Sequence, residues 1–146
     1  MNIRKMILDD YDNVYNLWLN TPNMGLNNLD DSKESIGKFL ARNSNTCFVA
    51  EKENKIVGVI ISGHDGRRGF IYHTTVLYEE RNQGIGTILV EAVLSSLKFE
   101  GINKVALVVF NKNTNGNLFW EKSGFTVRED LIYRNKAVTE IIRIDT

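Results

Sequence analysis

A chain of 146 residues with 42% apolar and 25% charged residues has the make-up of a globular protein, and a chain of that size can bury about 70% of its unfolded surface in one core. Eighteen Lys and Arg balance eighteen Asp and Glu, so no net field favours nucleic acid or an anionic membrane. The single cysteine, Cys47, excludes an intramolecular disulfide and a cysteine-rich metal site, and no metal is expected. No apolar run approaches the roughly 18 residues of a membrane span, and Met1-Asn-Ile-Arg-Lys5 lacks the apolar core of a signal peptide, so a cytoplasmic protein is expected.

In chain order, residues 2–7 alternate apolar and polar side chains, the period of a strand. Asp9 or Asp10 can cap a helix that carries Tyr11, Val14, Tyr15 and Trp18 at helical spacing. Residues 21–28 hold the only proline, Pro22, and read as a loop. Asp31 or Ser32 then opens a second helix with Ile36, Phe39 and Leu40 on its buried face. Cys47 lies in the run Cys47-Phe-Val-Ala50 and reads as a small buried hydrophobe rather than a nucleophile. Residues 46–52 and 55–62 are β-rich, and Glu53-Asn54 between them suits a tight antiparallel hairpin. His64-Asp-Gly-Arg-Arg-Gly69 turns the chain again before a strand over 70–78, which completes an antiparallel meander.

Residues 84–100 follow as a helix with Ile85, Ile88, Leu89, Ala92, Val93 and Leu97 on one face and Gly101 at the C-terminal cap. Lys104-Val-Ala-Leu-Val-Val-Phe110 is almost continuously aliphatic, as in a central strand buried on both faces. Because a helix leads to it, it should lie parallel to the 70–78 strand through a right-handed crossover. Residues 111–115 form a polar loop and cap, and Leu118, Phe119 and Lys122 lie on a short helix that ends near Gly124. Residues 125–133 read as a further strand, whereas the alternation of Ile141, Ile142 and Ile144 leaves 137–146 undecided. No repeat or linker divides the chain, so residues 1–146 are expected to form one domain with a mixed α/β (α+β) sheet and helices on both sides.

The stretch from Tyr72 to Thr87 combines a strand, a tight turn and a helix start. Unpaired N–H groups and the positive end of the helix dipole make such a junction an anion site. Gly84 and Gly86 let a phosphate approach the backbone, and Arg81 can add a charge. A nucleotide P-loop needs a Lys-Ser or Lys-Thr pair after its glycines, which is missing. A dinucleotide fingerprint needs a third glycine where Leu89 stands and an acidic residue near Asn103-Lys104. A plain turn and helix start is the bland alternative.

Arg81-Asn-Gln-Gly84-Ile-Gly86 at this junction resembles the pyrophosphate loop of the GNAT superfamily of acyl-CoA-dependent N-acyltransferases. The resemblance extends along the chain. Ile3-Arg4 with Asp9-Asp10-Tyr11 is similar to the family's opening strand and helix, and Ile56-Val57-Gly58 to its third strand. Asn113-x-x-Gly116-x-x-Phe119-Trp120-Glu121-Lys122-x-Gly124-Phe125 resembles its Asn-x-x-Ala-x-x-Phe-Tyr-Glu-Lys-x-Gly-Phe segment. Asp65-Gly66-Arg67-Arg68-Gly69 before Tyr72-His73 is similar to a branch of small bacterial members.

The resemblance implies the GNAT fold, in which the family's fourth strand (here 70–78) bulges and splays from the fifth (here 104–110). It implies acetyl-CoA as cosubstrate, with pantetheine along the edge formed by Thr74, Thr75, Val76 and Leu77. The pyrophosphate would lie on Arg81, Asn82, Gln83, Gly84, Ile85, Gly86 and Thr87, with Asn113 and Trp120 beside the cofactor arm. The alternative for Asn113 is a helix cap, and for Thr87 an ordinary first-turn residue. The implied reaction is attack of a primary amine on the thioester, and the implied carbonyl donor is a backbone N–H near Val76. The family's acid is a tyrosine where this chain has Trp120, whose indole N–H cannot supply a proton near neutral pH. Three outcomes are open: another tyrosine such as Tyr133 substitutes, water protonates the thiolate, or the protein binds acyl-CoA without turnover. His73 is the candidate base, against a purely structural role; Glu79 and Glu80 read as solvated, and His64 and Asp65 as turn residues or, alternatively, as lining of the acceptor entrance. The amine acceptor and the oligomeric state, a homodimer included, are open in the sequence.

Overall fold

A computed structural model describes residues 1–144; of the undecided tail, Asp145 and Thr146 lie outside the described residues. The strands are β1 (Asn2–Lys5), β2 (Leu26–Asn27), β3 (Phe48–Lys52), β4 (Lys55–His64), β5 (Gly69–Val76), β6 (Val105–Ala106) and β7 (Arg143–Ile144). The α-helices are α1 (Tyr11–Leu19), α2 (Lys33–Arg42), α3 (Ile85–Phe99) and α4 (Thr114–Lys122). Strands β1-β3-β4-β5-β6 form one mostly antiparallel sheet, and β2 pairs with β7 apart from it. Among the described residues only β5 and β6 run parallel, in the register Gly69↔Val105 and Phe70↔Ala106.

The meander expected over residues 46–78 is present as β3-β4-β5. Its first turn has both central residues left-handed, Glu53 at φ +53° and Asn54 at φ +62°, the twist that two-residue hairpins require. Helices cover both faces of the sheet. On one face Val14, Trp18, Ile36 and Leu40 pack with Val49, Val59 and Ile61. On the other Ile85, Leu89, Val90, Val93 and Leu97 pack with Val57, Ile60 and Ile71. Cys47 is buried with the first group, and burial pushes its thiol up to about 12, which keeps it an inert hydrophobe.

Helix ends follow local chemistry. Ser32, not Asp31, caps α2 by accepting from Ser35 N–H at 3.2 Å. At the end of α3, Gly101 is left-handed at φ +83°, Gly101 N–H donates to Lys98 O and Ile102 N–H to Leu97 O, both at 3.0 Å. That is the Schellman pattern, closed by the buried pair Leu97 and Ile102. Ile88, placed by sequence on the buried face of α3, is 39% exposed, and Val90 takes that role. At the N-terminal edge Arg4 forks onto both Asp10 oxygens at 2.7 and 2.8 Å and reaches Glu51 at 2.6 Å. Burial pushes the Asp10 carboxyl up, but Arg4 and the Ile7 N–H outweigh it and hold the carboxyl below its usual range.

Two expectations are corrected. The central strand buried on both faces is β4, whose residues 57–63 are all buried, and not 104–110. In the latter run only Val105–Ala106 pairs, at the sheet edge, and residues 105–110 alternate between half-buried and exposed. An aliphatic run supplies β-propensity, but a ladder needs a neighbour at hydrogen-bonding distance, and residues 107–110 diverge from β5. The strand expected over 125–133 does not form; Val127, Leu131, Ile132 and Tyr133 are exposed by 60% or more. The undecided tail contributes β7 through Ile144↔Leu26 and Arg143↔Asn27.

Candidate active site

Strand β5 carries a bulge. Val59 faces Thr75 and Ile61 faces Tyr72, so Ile60 alone opposes His73 and Thr74. The extra residue forces His73 into a left-handed conformation at φ +33°, rare for a side chain without special support. Support comes from Trp18: its indole N–H donates to His73 O at 3.2 Å, and its ring meets the imidazole edge-on at 5.0 Å. The bulge separates the neighbours. Tyr72 lies among Phe39 and Phe70, while His73 Nε2 sits 2.7 Å from Asp31 Oδ1.

Beyond Phe70, β5 has no strand partner on its β6 side among the described residues, so residues 71–76 present an open edge in a splayed cleft. Thr74 is half-buried on this edge; Thr75 is buried and its hydroxyl donates to Thr21 at 3.2 Å. Val76 O accepts from Arg81 Nε at 3.0 Å, and the Arg81 guanidinium lies over Tyr78. Leu77 N–H returns to Val57 O at 2.7 Å. Arg81 therefore lies against the strand end, where it can swing to an anion from one hydrogen bond. Glu80 is tied to Lys52 at 3.0 Å, and Glu79 is exposed.

Residues Arg81, Asn82, Gln83, Gly84 and Thr87 are exposed where β5 gives way to α3. Asn82 and Gly84 are left-handed at φ +63° and +80°, which folds the loop back over the helix start. No side chain caps α3, so the N–H groups of Ile85, Gly86 and Thr87 keep their donors for a ligand. The two glycines serve different needs. A Cβ on Gly84 would meet nothing within 4 Å, so its backbone is open to approach; one on Gly86 would lie 3.0 Å from the Phe119 ring. Gly86 thus lets α4 dock on the first turn of α3.

Asn113 caps α4, its Oδ1 accepting from Gly116 N–H at 3.0 Å. Trp120 packs edge-on against Phe119 at 5.0 Å and Phe125 at 5.1 Å. It also lines a cleft of about 1580 Å³ with Tyr72, Leu107, Val109 and Tyr133. Tyr133 has no strand to carry it and is 64% exposed. Burial, with Tyr133 and then Asp30 nearby, pushes the Tyr72 hydroxyl up. His64 and Asp65 line the same cleft at its other side; His64 Nε2 is 3.0 Å from Glu100, and Asp65 Oδ1 accepts the Arg67 and Arg68 N–H groups as turn chemistry. Those two N–H groups, Arg68 first, hold the Asp65 carboxyl below its usual range. Among the described residues no group of three His, Cys, Asp or Glu side chains could hold a metal ion, and no helix is long and apolar enough to cross a membrane. Asp31 is the residue that sequence reasoning missed: it stands 42 positions from His73, and no local pattern links them.

A strand that bulges, frees one edge and feeds a glycine turn onto an uncapped helix is the framework of the acyltransferases that the sequence resembles. The chain matches the sequence profile of the Acetyltransferase (GNAT) family over residues 11–125, and it belongs to that family. An acetyltransferase of Photorhabdus laumondii is 30% identical over 144 residues, covering 96% of this chain and 98% of its own. Among solved structures, Ard1 from Thermoplasma volcanium shares the fold with a TM-score of 0.77 at 21% identity, over 87% of this chain and 83% of that one. A structure from Clostridium acetobutylicum, described as a predicted acetyltransferase with acetyl-CoA, has a TM-score of 0.70 at 19% identity, over 92% and 95% of the two chains.

Proposed function

We propose that residues 1–146 form one acetyl-CoA-dependent N-acetyltransferase domain that acetylates a primary amine. The observation that carries this reading is the continuous unit of open β5 edge, exposed Gly84 and uncapped α3. Its residues fit the cosubstrate: the open edge over Thr74, Thr75 and Val76 offers backbone groups to an extended pantetheine, and the 82–87 loop offers N–H donors and a helix dipole to a pyrophosphate. Leu77 bounds the edge, with its own N–H and carbonyl bonded to Val57 and Glu80. Arg81 and the Thr87 hydroxyl add a charge and a donor, and Asn113 and Trp120 flank the arm.

When bound, acetyl-CoA supplies an activated acetyl carbonyl. His73 takes one proton from the substrate ammonium, which frees the nitrogen lone pair. A backbone N–H near Val76 donates to the carbonyl oxygen as charge develops there. The C–N bond forms and the C–S bond breaks; water or Tyr133 protonates the thiolate, and the second proton, lost from the nitrogen, restores that donor. Trp120 packs and supplies no proton. Much of the acceleration comes from holding amine and thioester together, so few side chains are needed.

A second reading, an acyl-CoA-binding module without turnover, is favoured by one observation: Trp120 fills the family's tyrosine position inside an aromatic cluster. Thiol release from acetyl-CoA across a panel of primary amines separates the two. Amine-dependent release is expected; thermal stabilisation by acetyl-CoA without release on any amine supports the module, and no stabilisation overturns both.

A further inference from the structure

Asp31 is 3% exposed and joins three parts of the molecule. Its Oδ1 is 2.7 Å from His73 Nε2, its Oδ2 accepts from Asn27 N–H at 2.8 Å, and its backbone carbonyl accepts from the Tyr11 hydroxyl at 2.6 Å. A buried carboxylate is costly unless it is paired. Capping does not account for it, because Ser32 caps α2. It meets the imidazole at the one non-glycine residue of β5 with a positive φ, where strain is tolerated only because the surroundings impose it.

An ionised carboxylate only accepts hydrogen bonds, so the contact places the proton on Nε2. In the neutral ring the other nitrogen, Nδ1, then carries a lone pair. Nδ1 has no hydrogen-bond partner among the described residues, and none of their buried side-chain nitrogens or oxygens lacks one, so Nδ1 reaches solvent. The groups packed around the imidazole are Asp31 from the α1–α2 loop, Tyr72 on its own strand and the uncharged ring of Trp18 from α1. Tyr11 enters only through the Asp31 carbonyl, and its hydroxyl, pushed up to about 12 by burial, stays neutral.

We infer that Asp31 is the positioning residue for His73: its carboxylate locks the imidazole in the Nε2–H form and so presents Nδ1 as the proton acceptor for the incoming amine. The inference rests on the acyltransferase reading and adds the residue that sets its base. The same carboxylate accepts from the backbone of β2 at Asn27, so one side chain ties the loop between α1 and α2 to the base.

Long-range 1H–15N NMR of the ring nitrogens tests this without any acceptor. The chain has two histidines, and His64→Gln assigns the His73 signals. Wild type is expected to show a protonated Nε2 and a bare Nδ1. In Asp31→Asn the new amide can donate as well as accept, so the Nδ1–H form should become populated. Amine-dependent thiol release should fall roughly 10- to 100-fold in kcat, with the KM for acetyl-CoA and its thermal stabilisation unchanged. An Nδ1–H ring in wild type, or an Asp31→Asn protein with unchanged ring state and kcat, overturns the inference. If Asp31→Asn does not fold, the wild-type ring decides alone. A wild type that binds acetyl-CoA but releases no thiol with any primary amine overturns the acyltransferase reading itself, whatever the ring shows.

Discussion

Residues 1–102 bury Val14, Trp18, Val49, Val59, Ile60, Leu89, Val93 and Leu97 to 1% exposure or less, whereas residues 125–142 leave Val127, Ile132, Tyr133 and Val138 between 64% and 98% exposed. Both stretches are rich in the same residue types. The first has ladders on both sides of β3 and β4 and a helix over each face; the second has no ladder before Arg143. Apolar side chains make a core only where backbone pairing brings several elements to one place. Stability should therefore reside in the first region, and the second should tolerate change.

The largest expected effect is Trp18→Ala, which empties a fully buried position and removes the bond to His73 O. It should cost about 3–5 kcal/mol in denaturant unfolding, against within ~0.5 kcal/mol for Val127→Ala. Equal losses would break the comparison.

Next is Asp10→Asn at the β1 edge, expected to cost roughly 2–4 kcal/mol because Arg4 loses a nearly buried partner. The folded Asp10 carboxyl lies below its ordinary value, so its contribution is present above about pH 3.9 and disappears as pH falls through the folded value. Acid titrations of stability should show a shallower loss in the variant than in wild type.

Smaller in stability but sharper in function is Gly84→Val. A β-branched residue at φ +80° should cost about 1–3 kcal/mol. It should also abolish stabilisation by acetyl-CoA, which in wild type should reach about 2.7 kcal/mol at a hundredfold excess over Kd. Retained stabilisation in paired thermal scans would move the cosubstrate away from this loop. The smallest structural effect is Tyr133→Phe, within ~0.5 kcal/mol; a drop in kcat of about 100-fold or more would mark it as the acid, and no drop would leave that step to water.

Much of this was legible from local sequence. Glu53-Asn54 specified a tight turn, Gly101 a helix end, and Gly84 the start of the third helix after an exposed loop, because each depends on neighbours in the chain. The fate of 104–110 was not legible: its composition is right for a central strand, but β4 holds that place through pairings on both sides. The contact between Asp31 and His73 was equally hidden. It depends on a bulge that changes which way His73 faces, and strict alternation of Tyr72 and His73 cannot anticipate it.

The small ladder between β2 and β7 has a consequence in time. Asn28 N–H donates to Ile142 O at 3.0 Å, and Ile142 N–H to Asn28 Oδ1 at 2.6 Å, across 114 positions. Closing so long a span costs roughly 4 kcal/mol in its length-dependent part alone. A ribosome adding 5–20 residues each second takes on the order of ten seconds to cover that distance. The loop that grips His73 through Asp31 is thus made early, and its β2 edge waits for its partner until residues 142–144 have emerged.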